Sequence, residues 1–262
     1  MLNTQGIHAS SSAVFDSRGI YVFAVVDADQ QVGRLPENTG VHGLDIVRQG
    51  RFGGVVTAFD ISEPGITGEL KERHARVLEA LLGRTDYVPM APGTTFGGAD
   101  GVRKFLAEND AELGGEYERV AGAAEFDIRV GWQVDEPFEL MADRHADLGE
   151  LRAKSREASG RAARKIAFRI GRLYDEVIDR ERREHRSLLR RRLEPICRQL
   201  EVSECDAEGE LARMCCLVDL AERDSFERRV YEVAEQFGEE ALIELTDAEP
   251  PESFANDVFG NW

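Results

Sequence analysis

The sequence predicts an α+β protein with a ferredoxin-like N-terminal domain and a C-terminal domain of long helices joined to a small α/β unit. Three observations predict this. A chain of 262 residues is long enough for two modest domains. Its first half alternates β-rich and helical segments, and its charge changes sign near residue 140. We therefore expect domains over residues 18–136 and 137–247, a disordered tail over 1–17 and an acidic tail over 248–262.

The first strands follow from apolar runs. Tyr21 to Val26 is continuously apolar and ends at Asp27, which is typical of a strand buried on both faces. Leu44–Val47 and Val55–Phe59 are also β-rich, and glycines separate them. A hairpin is the simplest connection between these two strands.

A helix comes next, because five residues recur at spacings of 4, 3, 1 and 3: Leu70, His74, Val77, Leu78 and Leu81. The pattern then predicts a short strand over Tyr87 to Met90 and one amphipathic helix over Val102 to Leu113. Alternating apolar and polar residues from Phe126 to Trp132 predict a strand with one buried face. We expect this strand to complete the N-terminal domain.

The second half begins with helical periodicity from Pro137 to Leu200. The segment Asp179 to Ser187 contains no apolar residue, which favours a break and a second helix from Leu188. Leu211 to Asp219 then predicts a strand, Arg223 to Phe237 a helix and Ala241 to Leu245 a strand, in an order that closes the chain with a small α/β unit.

Composition narrows the function classes. The longest apolar run has seven residues, far short of the roughly 20 that a membrane helix needs, so we expect no membrane partner. The polar start lacks the pattern of a secretory signal, and the four cysteines show no CxxC spacing. These features favour the cytoplasm and give no support to a metal site.

The net charge of −17 opposes binding to nucleic acid. Residues 141–200 nevertheless hold 17 basic and 10 acidic residues, whereas 201–262 hold 4 and 18. Three interpretations of the basic segment stay open: a solvated helix face paired to the acidic C-terminal segment, a docking surface for an acidic partner, or RNA binding. We rank them in that order, because aromatic residues for base stacking are sparse there.

Catalytic motifs are weak. His74 lies on the apolar face of its predicted helix, where a packing role is commoner than a catalytic one. Gly97 to Gly101 precedes a helix but lacks the lysine of a phosphate-binding loop. GxSxG and HExxH sequences are absent. We therefore predict no catalytic residue, no cofactor and no metal ligand.

Three ordered segments carry a family resemblance. They are His74 to Leu78, the turn Val88-Pro89-Met90 with Gly93-Thr94 and Phe96, and the end Glu244-Leu245-Thr246 with Pro250-Pro251-x-Ser253-Phe254. Together they resemble the gas vesicle accessory proteins of the GvpL/GvpF family over roughly residues 19 to 255. In two places this chain departs from the family pattern: Ala91-Pro92 replaces a basic residue and Phe, and the closing segment is acidic rather than aromatic.

The resemblance implies a non-enzymatic assembly factor or minor component of the gas vesicle, which contacts the small hydrophobic shell protein and other accessory proteins. The alternative is a ferredoxin-like regulatory module that binds a small anion at the Gly97 loop. As contact residues we predict three on the apolar strand and three on the basic helix: Tyr21, Phe23, Val25, Arg161, Arg164 and Lys165. The oligomeric state is left open.

Overall fold

The computed structural model describes residues 19–32, 44–59, 67–134, 136–205, 209–238 and 240–255. The predicted tail over residues 1–17 lies outside these ranges. Contacts divide the chain into two compact units, one formed by residues 1–125 with 249–262 and the other by 126–248. Helices and antiparallel strands are present in both units, which confirms the α+β class.

The first unit is built on a sheet with the order β2-β3-β1-β4, in which β5 also pairs with β1. Its strands are β1 (Gly19–Asp27), β2 (Asp45–Gln49), β3 (Phe52–Phe59), β4 (Tyr87–Pro89) and β5 (Thr95–Phe96). The apolar strand β1 is central and buried along nearly its whole length, and β2 and β3 form the expected hairpin. The finer ferredoxin-like assignment stays a prediction.

Helix α1 (Gly68–Leu81) packs the predicted apolar face onto this sheet, in one cluster with Tyr21 and Phe23. The hydroxyl of Thr67 accepts a hydrogen bond from the Leu70 amide at 3.2 Å, which caps the first turn.

The helix expected over Val102 to Leu113 is two helices, α2 (Ala99–Glu108) and α3 (Asp110–Val120). At the break, the Asn109 side chain donates to the Phe105 carbonyl at 2.8 Å. An asparagine side chain competes in this way with helical backbone bonds, and apolar periodicity does not reveal it.

The second unit holds a sheet with the order β7-β8-β6-β9. Its strands are β6 (Ala123–Trp132), β7 (Gln199–Ser203), β8 (Glu210–Asp219) and β9 (Ala241–Leu245). Strand β6 was expected in the N-terminal domain, but its register with β9 joins most of it to this second sheet. Residues 249–255, expected in a separate tail, belong to the first unit.

The helices of the second unit are α4 (Pro137–Arg144), α5 (Ala146–Glu157), α6 (Gly160–Leu193) and α7 (Arg223–Ala234). Helix α6 continues for 34 residues, so the break favoured between residues 179 and 187 was wrong. Long polar side chains pack where apolar ones are missing. Arg182 donates to the Glu210 carbonyl at 3.0 Å, and the His185 ring lies 4.7 Å from that of Phe237.

Candidate functional site

A buried histidine in the first unit joins the segments that carry the family resemblance. The Tyr21 hydroxyl accepts from the Gly93 amide at 3.0 Å and lies 2.8 Å from Nδ1 of His74. These two hydrogen bonds connect the Tyr21 hydroxyl to the turn at Gly93 and to the imidazole of His74. His74 Nε2 faces a carboxylate oxygen of Glu252 at 3.8 Å. We call these four residues the His74 junction.

The electrostatics of the junction favour neutral groups. His74 is 0% exposed, and burial lowers its pKa to about 4, with a smaller opposing effect from the Met90 carbonyl. Partial burial, together with nearby Glu125, raises the pKa of Glu252. A histidine without solvent access touches no substrate in this conformation, so its geometry is that of a packing residue.

The closing segment of the chain is held beside this junction. The Glu125 carboxylate accepts from the Ser253 amide at 3.0 Å and from the Ser253 hydroxyl at 2.6 Å. Phe254 is 3% exposed, and Pro251 is also buried. The Pro-Pro-x-Ser-Phe sequence therefore anchors residues 250–254 within the first unit.

Three of the predicted contact residues lie in the core. Tyr21, Phe23 and Val25 are each 0% exposed, because β1 is covered on both faces. A partner has no access to them in the folded unit, so their assignment as contact residues is corrected. The continuous apolar run predicted this burial.

The other three predicted contact residues are exposed on the second unit. Arg161, Arg164 and Lys165 lie in the first two turns of α6, at exposed positions. The structure records no ion pair for any of them within the described residues. Phe168, one turn further on, is 76% exposed. We call these four residues the basic face.

Large exposed apolar side chains are confined to the second unit in the part of the chain that the structure describes: Phe168, Val202, Tyr231 and Leu242. Val202 lies on β7 and Leu242 on β9, the two outer strands of the described sheet. Leu242 also lines a shallow depression with Trp132 and Gly209. An outer strand that carries apolar side chains invites association.

The glycine loop before α2 gives little support to anion binding. Gly98 precedes the helix, and Asp100 occupies its first turn. The Asp100 carboxylate accepts from Arg103 at 2.6 Å. A carboxylate in the first turn already supplies the negative charge that the helix dipole favours, which disfavours the binding of a further anion there.

Sequence reasoning missed Phe168 and Val202 as surface residues. Phe168 shares a helical stripe with Arg161 and Lys165, since the spacings are 3 and 4 residues. An aromatic residue on an otherwise cationic stripe is the signal that could have identified it. Val202 belongs to β7 (Gln199–Ser203), whose first two residues were expected to be helical and whose other residues carried no prediction.

No helix in the described parts of the chain combines the length and the apolar character needed to cross a bilayer.

Comparison with known proteins gives consistent matches. The family model described as gas vesicle synthesis protein GvpL/GvpF matches residues 19–256. The crystal structure of the gas vesicle protein GvpF from Anabaena sp. PCC7120 is similar with a TM-score of 0.76 at 18% identity, covering 92% of this chain and 99% of that one. For GvpF from Microcystis aeruginosa the TM-score is 0.67 at 17% identity, with coverage of 91% and 99%. No curated protein sequence matches. The structural likeness establishes the shared fold.

Proposed function

Because this chain belongs to the GvpL/GvpF family of gas vesicle synthesis proteins, we propose that it is a non-enzymatic accessory protein of gas vesicle assembly. Family membership supports the accessory role. In the proposal the protein acts in the cytoplasm, associated with the gas vesicle. It binds the small hydrophobic shell protein and other accessory proteins through surfaces of its second unit.

One observation carries the assignment to the second unit. All four large apolar side chains that are exposed in the described residues belong to it. The first unit buries its apolar strand and holds Ser253 through Glu125. A protein that holds an aggregation-prone partner needs accessible apolar surface on an otherwise stable body.

The two outer strands of the second sheet are the proposed contact for the shell protein. Val202 and Leu242 offer apolar side chains, and β7 and β9 are the outer strands of the described sheet. An extended segment of a partner adds to such a strand through main-chain hydrogen bonds. Arg161, Arg164 and Lys165 form the second proposed contact, for a partner that supplies carboxylates.

The test is co-purification of the full chain with the shell protein. The natural chain should retain the shell protein, whereas Val202→Lys with Leu242→Lys should lose most of it, because a charge on an outer strand opposes strand addition. Thr95→Lys is the matched control, an exposed strand position in the first unit. Failure of the natural chain to retain the shell protein would refute the binding proposal, and equal retention by the double variant would refute the surface.

A further inference from the structure

The exposed stripe of α6 has a charge order that its own copy can complement. Six residues follow one another at spacings of 4, 3, 4, 3 and 4: Arg161, Lys165, Phe168, Arg172, Asp175 and Asp179. All six are exposed. The mean spacing of 3.6 residues equals the repeat of a straight α-helix, so the six side chains lie along one face of α6. From residue 161 to residue 179 the stripe runs for about 27 Å.

The order of charges along this stripe is symmetric in position and opposite in sign. Positions 161 and 165 are basic, and positions 175 and 179 are acidic. Position 161 is as far before residue 170 as position 179 is after it, and positions 165 and 175 are related in the same way. Residues 168 and 172 are the remaining symmetric pair, an aromatic ring and a guanidinium.

We propose that a second copy of this chain docks on the stripe with its α6 antiparallel, about a twofold axis at the level of residue 170. Arg161 then meets Asp179 of the second copy, and Lys165 meets Asp175 of the second copy. Arg172 meets the Phe168 ring, a cation–π arrangement. Since the axis repeats every contact, the interface holds four ion pairs and two ring contacts. A twofold interface of this kind requires a self-complementary surface.

The charged ends of this stripe are available for such contacts. Within the described residues, the structure records no ion pair for Arg161, Lys165, Asp175 or Asp179. Arg172 contacts Glu176 of its own helix at 3.6 Å, an exposed pair one turn apart. Exposed pairs of this kind are weak, so the contact leaves Arg172 free to rotate toward a ring.

Complementarity favours a second copy over an unrelated acidic partner. An acidic helix would satisfy Arg161 and Lys165 but would leave like charges beside Asp175 and Asp179. The antiparallel copy satisfies both ends at once. One helix face is a small interface compared with those of permanent dimers, so the association depends on concentration.

The experiment is sedimentation equilibrium of the purified full chain at fixed ionic strength. The average mass should rise from 29.2 kDa toward twice that value as concentration increases to about 1 mM. Arg161→Glu with Lys165→Glu makes the stripe acidic, and Asp175→Lys with Asp179→Lys makes it basic. Each pair should weaken dimerisation at least about tenfold, because four attractions become four repulsions.

Three controls distinguish this interface from an effect of overall charge. Arg191→Glu with Arg192→Glu makes the same charge change at exposed positions of the same helix, outside the stripe, and should leave the dimer intact. An equimolar mixture of the acidic-stripe and basic-stripe variants should form a heterodimer. The chain that carries all four substitutions should recover the homodimer.

A natural chain that stays monomeric at about 1 mM would overturn the proposal. Loss of association in the acidic-stripe variant alone would also overturn it, since that result reports repulsion between acidic chains. Mixed variants that remain monomeric would overturn the antiparallel register. The measurement needs no shell protein, so its outcome is independent of the proposed gas vesicle function.

Discussion

His74 makes the stability of the first unit depend on pH in a specific direction. The histidine is neutral in the folded protein, with its pKa lowered to about 4 by burial. In the unfolded chain the pKa is about 6.5. Between these two values the unfolded state binds more protons than the folded state, so the free energy of unfolding falls as the pH is lowered.

The size of the effect follows from the two pKa values. A separation of about 2.5 pH units corresponds to about 3 kcal/mol when both states are protonated, below about pH 4. About 2 kcal/mol of this loss develops between pH 7 and pH 5. Glu252 acts in the opposite direction, because its pKa is raised in the folded protein and protonation then favours folding.

Urea unfolding from pH 7 to pH 4.5 measures this dependence. His74→Gln cannot gain a proton, so the difference in free energy of unfolding between the natural chain and this variant should change by about 2 kcal/mol from pH 7 to pH 5. The comparison uses the change in free energy of unfolding with pH. A loss of stability in the variant that is the same at every pH therefore does not affect it. Parallel pH profiles for the two proteins would refute the assignment of a neutral, buried His74.

Three other substitutions test local packing. Glu125→Gln should release the closing segment and speed hydrogen exchange of the Ser253 amide, with a loss of about 1 kcal/mol or more; unchanged protection would show that the carboxylate is not the anchor. Gly149→Ala places a Cβ 2.7 Å from the Ala142 carbonyl oxygen and should cost about 1–3 kcal/mol in thermal or urea unfolding. Gly171→Ala meets nothing within 4 Å and should add about 0.5–1 kcal/mol as its matched counterpart. Equal effects at the two glycines would contradict the close approach at Gly149.

Local sequence patterns predicted most strands and helices. They failed where contacts between residues far apart in the sequence determine the structure. The run from Tyr21 to Val26 is apolar at every position, which by itself predicts a strand buried on both faces, so β1 was placed correctly. Helix α6 continues through Asp179 to Ser187 because Arg182 and His185 find partners on other elements. The alternation from Phe126 to Trp132 identified a strand, but its sheet depends on pairing with β9, more than a hundred residues further along the chain.

The candidate surfaces were predicted only in part. Clustering of basic residues identified Arg161, Arg164 and Lys165 correctly as exposed, since charge without a nearby acidic partner signals solvent. Apolar character alone could not distinguish a core residue from a residue that binds a partner. Tyr21 and Phe23 were therefore predicted to bind a partner, although β1 is covered on both faces. Exposure of Phe168 required knowledge of which side of α6 is buried in the folded unit.

The segments that identify the family and the surfaces proposed for binding are different parts of the molecule. The family-like segments contribute Pro251 and Phe254 to the core, and they place His74 and Ser253 in hydrogen bonds or charge contacts within the first unit. Such residues preserve a fold because each contacts a specific neighbour, and substitution leaves a cavity or an unpaired group. The charge order of α6 has no such constraint from within the chain. The family match and the structural likeness therefore establish the family and the fold, whereas the residues proposed for binding lie at exposed positions of the second unit.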